Sequence, residues 1–306
     1  MQALYAYYKR EGNTTIAKSE KELLFSINKA YDLYHYLFLL ICDIADYASS
    51  RIEIAKNKKI PTYEDLHPNT KFIDNVVLAQ IRESANLQKY LTTNKLSWVN
   101  YPELIKGLYN EISESDEYIT YMKSEIRSHN EDKKLICNIF KLILSQYEPF
   151  YSALEEQSIY WNDEVEYILN INIKTVKKLK ENDAGLTLSP LYKSKEDKDF
   201  PKTLFRKVIL NKEAYLEIIE RYSKNWEINR IAFMDILLMQ MAIAEAIEFD
   251  SIPTKVTLNE YLELSKYYST EKSNLFINGI LDKAFKYLKE TKKIMKQGRG
   301  LIGEVE

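Results

Sequence analysis

Residues 252–270 read IPTKVTLNEYLELSKYYST and residues 276–288 read FINGILDKAFKYL. These two runs decide the fold class. In the second, Ile277, Ile280, Leu281, Ala284, Phe285 and Leu288 recur at three- and four-residue spacing, the signature of a helix with one apolar stripe. In the first, Thr257 and Glu260 form a T-x-x-E pair shortly after Pro253, which predicts a capping box and a helix starting there. Thr270 stands where it would cap the last helix. Gly279 falls inside that helix, where glycine costs about 1 kcal/mol relative to alanine. The tight apolar stripe around it predicts a close approach by a neighbouring helix. Upstream, NWEINRIAFMDILLMQMAIAEAI at 225–247 reads as a helix that contains the apolar run ILLMQMAIA. The predicted C-terminal helices cover roughly 203–210, 212–224, 227–249, 257–267 and 271–290.

The rest of the chain has the same character. Leu23, Leu24, Ile27, Ala30, Tyr31, Tyr34, Leu37, Leu40, Ile41, Ile44 and Ala45 continue one helical pattern across 19–59. The segment KNKKIPTYEDLHPNT then reads as a loop, and a further helical run covers about 71–91. Shorter helices separated by Pro102 and Pro149 follow, and 150–180 is helical again. Gly185, Pro190 and Pro201 mark 181–202 as a loop, and 291–306 is expected to fray. Only 7 glycines and 7 prolines occur in 306 residues, so few turns are built on them and the helices are long. No strand pair and no internal repeat emerge. The fold class is all-α.

Composition narrows the function. With 45% hydrophobic and 29% charged residues the chain is globular, and its 24 tyrosines suit half-buried helix faces with the hydroxyl in water. A net charge of -2 neither supports nor excludes a nucleic-acid partner. Cys42 and Cys137 lack CxxC spacing, which suggests a reducing cytoplasm and no disulfide framework. The apolar runs LFLLIC and ILLMQMAIA are too short to span a bilayer, and no membrane association is expected. His35, His67 and His129 are far apart and lack metal-ligand spacing. His129, beside Glu131 and Asp132, reads as a solvated loop residue. No glycine-rich phosphate loop and no GxSxG elbow occur, and neither cysteine has a histidine beside it. The expectation is a non-enzymatic protein with no cofactor and no metal.

The succession 225–247, 252–270 and 276–288 resembles the NusB family of transcription antitermination factors. The family text I-P-x-K-V-x-x-N-E-x-x-E-L-[AS]-K is matched by Ile252–Lys266, and F-[IV]-N-G-[IV]-L-D-K by Phe276–Lys283. TLFRKVILN at 203–211 extends the match, and MQALYAYY resembles the family's first helix. The long helical stretch between resembles the central insertion of enlarged Bacteroidetes-type members. The implied organisation is NusB-like helical bundles with a long helical insertion. Residues 1–18 form the first helix of the core, 19–180 the N-terminal region and insertion, 181–202 a loop, 203–290 the C-terminal helical domain and 291–306 a flexible tail.

The resemblance implies a non-catalytic cytoplasmic protein. It would bind boxA RNA of ribosomal RNA leaders together with the ribosomal protein NusE and join the RNA polymerase antitermination complex. Carried onto this sequence, the RNA-facing residues are Gln2, Lys255, Tyr268, Lys272, Phe276 and Lys283. Aromatics suit single-stranded RNA because unstacked bases lie on their rings, and lysines neutralise phosphates. Tyr268 and Phe276 also read as core residues, and Lys255 reads equally as a solvated loop lysine. The NusE-facing residues are Tyr5, Arg230 and Asp235, the last flanked by apolar residues in IAFMDILLM and so in need of a partner if buried. The family's arginine-rich segment before the first helix is not in this sequence, and the expectation is that Met1 is internal to a longer chain. A second reading is a helical protein-interaction scaffold that has lost RNA binding.

Overall fold

A computed structural model describes residues 1–10, 14–223 and 230–303. Among them every regular element is a helix: α1 (Gln2–Lys9), α2 (Ile16–Lys56), α3 (Tyr63–Leu66), α4 (Val76–Glu83), α5 (Ala85–Asn94), α6 (Pro102–Glu114), α7 (Asp116–Lys123), α8 (His129–Asn138), α9 (Glu148–Gln157), α10 (Val165–Lys178), α11 (Lys195–Leu210), α12 (Lys212–Tyr222), α13 (Phe233–Glu248), α14 (Thr254–Tyr268) and α15 (Ser273–Glu290), with a π-helical turn at Ile139–Leu144 continuing α8. The chain divides into two compact units, Met1–Phe25 with Tyr192–Glu306, and Ser26–Leu191.

The Ser26–Leu191 unit is built on the larger part of α2. Leu33, Leu37, Leu40 and Ile44 recur on one face and are fully buried. Trp98 stacks on Tyr36 with ring centroids 3.8 Å apart and donates its indole N–H to the Tyr36 carbonyl at 3.0 Å. Most buried polar groups here are answered inside the unit, as desolvation requires, although Asn172 Oδ1 finds no partner among the described residues. Lys71 donates from Nζ to the carbonyls of Tyr121 and Ser124 at 2.6 and 2.7 Å, and Asp132 accepts from Tyr121 Oη at 2.6 Å and from the Val76 N–H at 2.8 Å. The helical run expected over 71–91 is broken in two, because Asn75 caps α4 by accepting from the Leu78 N–H and Ser84 separates α4 from α5. His129 is not a solvated loop residue. It opens α8, is buried, and lies 3.0 Å from Gln80 Oε1 through Nε2; burial pushes its pKa down.

In the other unit α13 is the central helix. Leu237, Leu238, Met239, Ala242, Ile243 and Ala244 have no exposed surface, as expected of a helix that is apolar nearly all round. It packs against α1, α11, α12, α14 and α15. Three sequence expectations change here. The loop expected over 181–202 ends early: Ser194 accepts from the Asp197 N–H and starts α11 at Lys195, with Pro201 inside the helix. The capping box at Thr257 is absent, because α14 already begins at Thr254; Thr257 is buried and donates its hydroxyl to Glu245 Oε1 at 2.8 Å. Thr270 does not cap α15, and its hydroxyl lies 2.8 Å from Ser273 Oγ. The expected helix ends at 224 and 227 lie outside the described residues.

The tail is also more ordered than expected. Ile294 is buried, the Gln297 N–H donates to the Asp250 carbonyl at 3.0 Å, and Lys296 Nζ donates to the Phe249 carbonyl at 2.8 Å. Gly300 lies so close to this loop that a β-carbon there would come 1.9 Å from the Asp250 carbonyl oxygen, so only glycine fits.

Candidate nucleic-acid and partner interface

The corner between α14 and α15 gathers most of the residues singled out above. Its anchor is Asp235, in the first turn of α13 and only 5% exposed. Ser269 Oγ donates to Asp235 Oδ1, and Ser273 Oγ donates to Oδ2 at 2.8 Å. The two hydroxyls are themselves 3.0 Å apart. A carboxylate in an apolar helix needs donors, and it finds them in its own chain. Asp235, expected to meet a protein partner, thus fixes the corner from beneath. The serines were missed in the sequence; their i, i+4 spacing across a helix–helix turn, opposite a lone acid in an apolar helix, was the available signal.

Around this anchor Tyr268 and Phe276 are half-buried, Phe276 packing on the core, while Lys272 between them is exposed. Two further apolar side chains stand out from the same corner, Tyr267 at 82% and Leu275 at 77% exposure. Lys283 is exposed along α15, about 16 Å from Lys272 at 1.5 Å rise per residue. Lys255 lies at the opposite end of α14, about 20 Å from Tyr268 by the same rise, so it does not belong to the corner.

Gly279 was expected at a helix–helix contact. It is instead exposed, and a β-carbon built there would meet nothing within 4 Å. No packing among the described residues accounts for its cost.

On the other side of α13, α1 brings up Tyr5. Its ring meets Phe233 edge-on at 5.7 Å and remains 41% exposed. Tyr8 also meets Phe233, at 6.1 Å, and Lys9 Nζ stands 4.4 Å over the same ring, a cation–π contact. Arg230 is exposed just ahead of α13, and Gln2 is exposed at the start of α1. The first turn of α13 therefore joins the two residue sets: Phe233 receives the α1 aromatics, and Asp235 holds the α14–α15 corner.

A cavity of about 440 Å³ lies among α1, α11, α13 and α14, lined by Leu4, Phe205, Met241, Val256 and Leu264, with Glu245 at its wall. Glu245 is buried, accepts from Thr257 Oγ1 and from Tyr261 Oη at 2.9 Å, and has its pKa raised by that burial. Among the described residues no group of His, Cys, Asp and Glu is placed to hold a metal ion, and no helix is long and apolar enough to cross a membrane.

The sequence pattern that defines the NusB family matches residues 165–286. The transcription antitermination protein NusB of Salinibacter ruber (strain DSM 13855 / M31) is 40% identical over 119 residues, which are 39% of this chain and 74% of that protein. The chain belongs to the NusB family. The NusB protein of Chloroherpeton thalassium (strain ATCC 35110 / GB-78) is 43% identical over 105 residues, 34% of this chain and 50% of that relative. Thermotoga maritima NusB, a solved structure, is 27% identical and overlaps 47% of this chain and 89% of its own, with a TM-score of 0.31. This NusB-family chain is longer than those matches, and most of its Ser26–Leu191 unit lies ahead of the family pattern.

Proposed function

We propose that this protein is a non-catalytic transcription antitermination factor of the cytoplasm that binds boxA RNA of ribosomal RNA leaders together with the ribosomal protein NusE. The observation that supports it best is the α14–α15 corner, where Asp235 fixes a turn presenting Tyr268, Lys272 and Phe276 inside the stretch that matches the family pattern. Half-buried aromatics with a lysine between them suit unstacked bases and their phosphates. Lys283 continues this surface along α15, and Gln2 and Lys255 are outlying RNA contacts. Tyr5 and Arg230, with Phe233 and Lys9 beside Tyr5, form the side offered to NusE, and Asp235 serves both sides by holding the first turn of α13 in place. The assembled pair then joins the RNA polymerase antitermination complex.

A gel shift of boxA RNA, titrated with NusE at several salt concentrations, tests the reading. Binding should tighten with NusE and weaken as salt rises, with a slope of about -0.7 per phosphate neutralised on a single strand. The double variant Tyr268→Ala, Lys272→Ala should lose most of the RNA affinity and keep NusE. Unchanged RNA affinity in that variant would remove the site. Binding of NusE without any RNA binding would favour a protein scaffold instead.

A further inference from the structure

The exposed face of α15 contains a feature that the corner alone does not use. At 100° per residue, Lys272, Phe276, Gly279, Lys283 and Lys286 fall within an arc of about 80°, with Leu275 at its border. They form one strip about 21 Å long, from Lys272 to Lys286. Lys272, Gly279, Lys283 and Lys286 are all exposed. None of the three lysines makes an ion pair among the described residues; Asp282 lies beside the strip, and Glu290 falls within its arc one turn beyond Lys286.

Gly279 lies at the centre of this strip. Side chains give a helix a radius of roughly 5–6 Å, while its Cα atoms lie on a cylinder of about 2.3 Å, so the surface drops by roughly 3 Å at the glycine. The drop faces open space, with none of the described residues within 4 Å of where a β-carbon would be. A helix-weakening residue without an internal packing role, set among unpaired cations, suits a backbone that comes in from outside and carries negative charge. Between Lys272 and Lys286 the arc holds three lysines and no acid, which favours a phosphodiester chain over a polypeptide.

We propose that Gly279 is a close-approach point at which the sugar–phosphate backbone of single-stranded RNA crosses α15, with Lys286 as a further phosphate contact and Leu275 as an apolar rest for the adjoining nucleotide. The proposal rests on the RNA-binding reading above and adds a path along α15 beyond the corner.

Because Gly279 is exposed, its substitutions separate folding from binding. Gly279→Ala and Gly279→Leu both place a better helix former there, and each should raise the melting temperature, by about 2–4 °C. The same variants should weaken binding of boxA RNA in order of side-chain size, leucine more than alanine. Lys286→Gln should reduce the salt slope by about 0.7, the share of one phosphate, while Lys198→Gln on α11 leaves it unchanged. RNA affinities equal to the unsubstituted protein in both Gly279 variants would overturn the proposal. So would unchanged RNA binding with weakened NusE binding, which would assign the strip to a protein partner. If the unsubstituted protein binds no boxA RNA at any NusE concentration, the functional reading falls and this proposal falls with it. Binding that all the variants share overturns this proposal alone.

Discussion

Replacing Asp235 tests the load carried by one buried carboxylate. In Asp235→Ala, Ser269 Oγ and Ser273 Oγ lose their common acceptor. A hydrogen bond to a charged group contributes about 1.5–3 kcal/mol, so two would set an upper range of roughly 3–6 kcal/mol. The hydroxyls of Ser269, Thr270 and Ser273 also bond to one another, at 2.8–3.0 Å, and recover part of this. The expected net loss is about 2–4 kcal/mol. Asp235→Asn keeps an acceptor for one serine and can donate to the other, and should lose about 1 kcal/mol. Urea denaturation reads both as a lower midpoint at unchanged slope. Hydrogen exchange across 266–276 should quicken in the alanine variant, where the α14–α15 corner loosens, and RNA affinity should fall with it. A loss under about 0.5 kcal/mol in the alanine variant, within the range of ordinary surface changes, would refute the anchoring role. If it came with weaker NusE binding, the carboxylate would belong to the protein interface instead.

Two further perturbations follow from other buried contacts. Burial raises the Glu245 pKa above its ordinary value of 4.5, so between that value and the raised one the folded state holds more protons than the unfolded state. Its contribution is therefore full below pH 4.5 and is lost as pH rises through the raised pKa; Glu245→Gln should flatten this part of the stability–pH curve, and an unchanged slope would contradict the assignment. Gly300→Ala forces a β-carbon onto the Asp250 carbonyl. It should free the segment around Arg299, seen as faster tryptic cleavage after Arg299 and Lys296, and cleavage at the unsubstituted rate would show that the tail is not held there.

Features written into local residue spacing were legible in the sequence, and contacts between distant residues were not. The apolar stripe of α15 and the dense apolar run of α13 were legible because burial of one face, or of all faces, writes itself into residue spacing. The start of α11 was not, since Pro201 reads as a breaker while a serine cap seven residues earlier had already committed the helix. Thr257 looked like a cap because the pattern fits, yet its hydroxyl is used by Glu245, a contact between helices that no local rule contains. The two glycines exchanged their expected roles: Gly279, read as tightly packed, faces open space, and Gly300, read as part of a fraying tail, lies against a backbone carbonyl. At the candidate interface the tyrosine, the phenylalanine and the lysines were visible through the family resemblance. The serine pair that fixes them was not, because its acceptor lies 34 residues away from Ser269 in sequence.

The unit that carries Asp235 and the α14–α15 corner is made from two pieces of chain, Met1–Phe25 and Tyr192–Glu306, whereas Ser26–Leu191 is continuous. Leu4, on the first piece, is buried in a core whose other members begin at Leu204. During synthesis α1 therefore leaves the ribosome long before the helices that cover it. At roughly 5–20 residues per second it waits roughly 10–30 s with its apolar face uncovered while the whole of the other unit is made. The continuous unit can fold as it emerges, and the two-piece unit closes last, when α15 is released. Completion of the α14–α15 corner thus becomes a late event in the life of the chain, and chaperone demand should centre on α1.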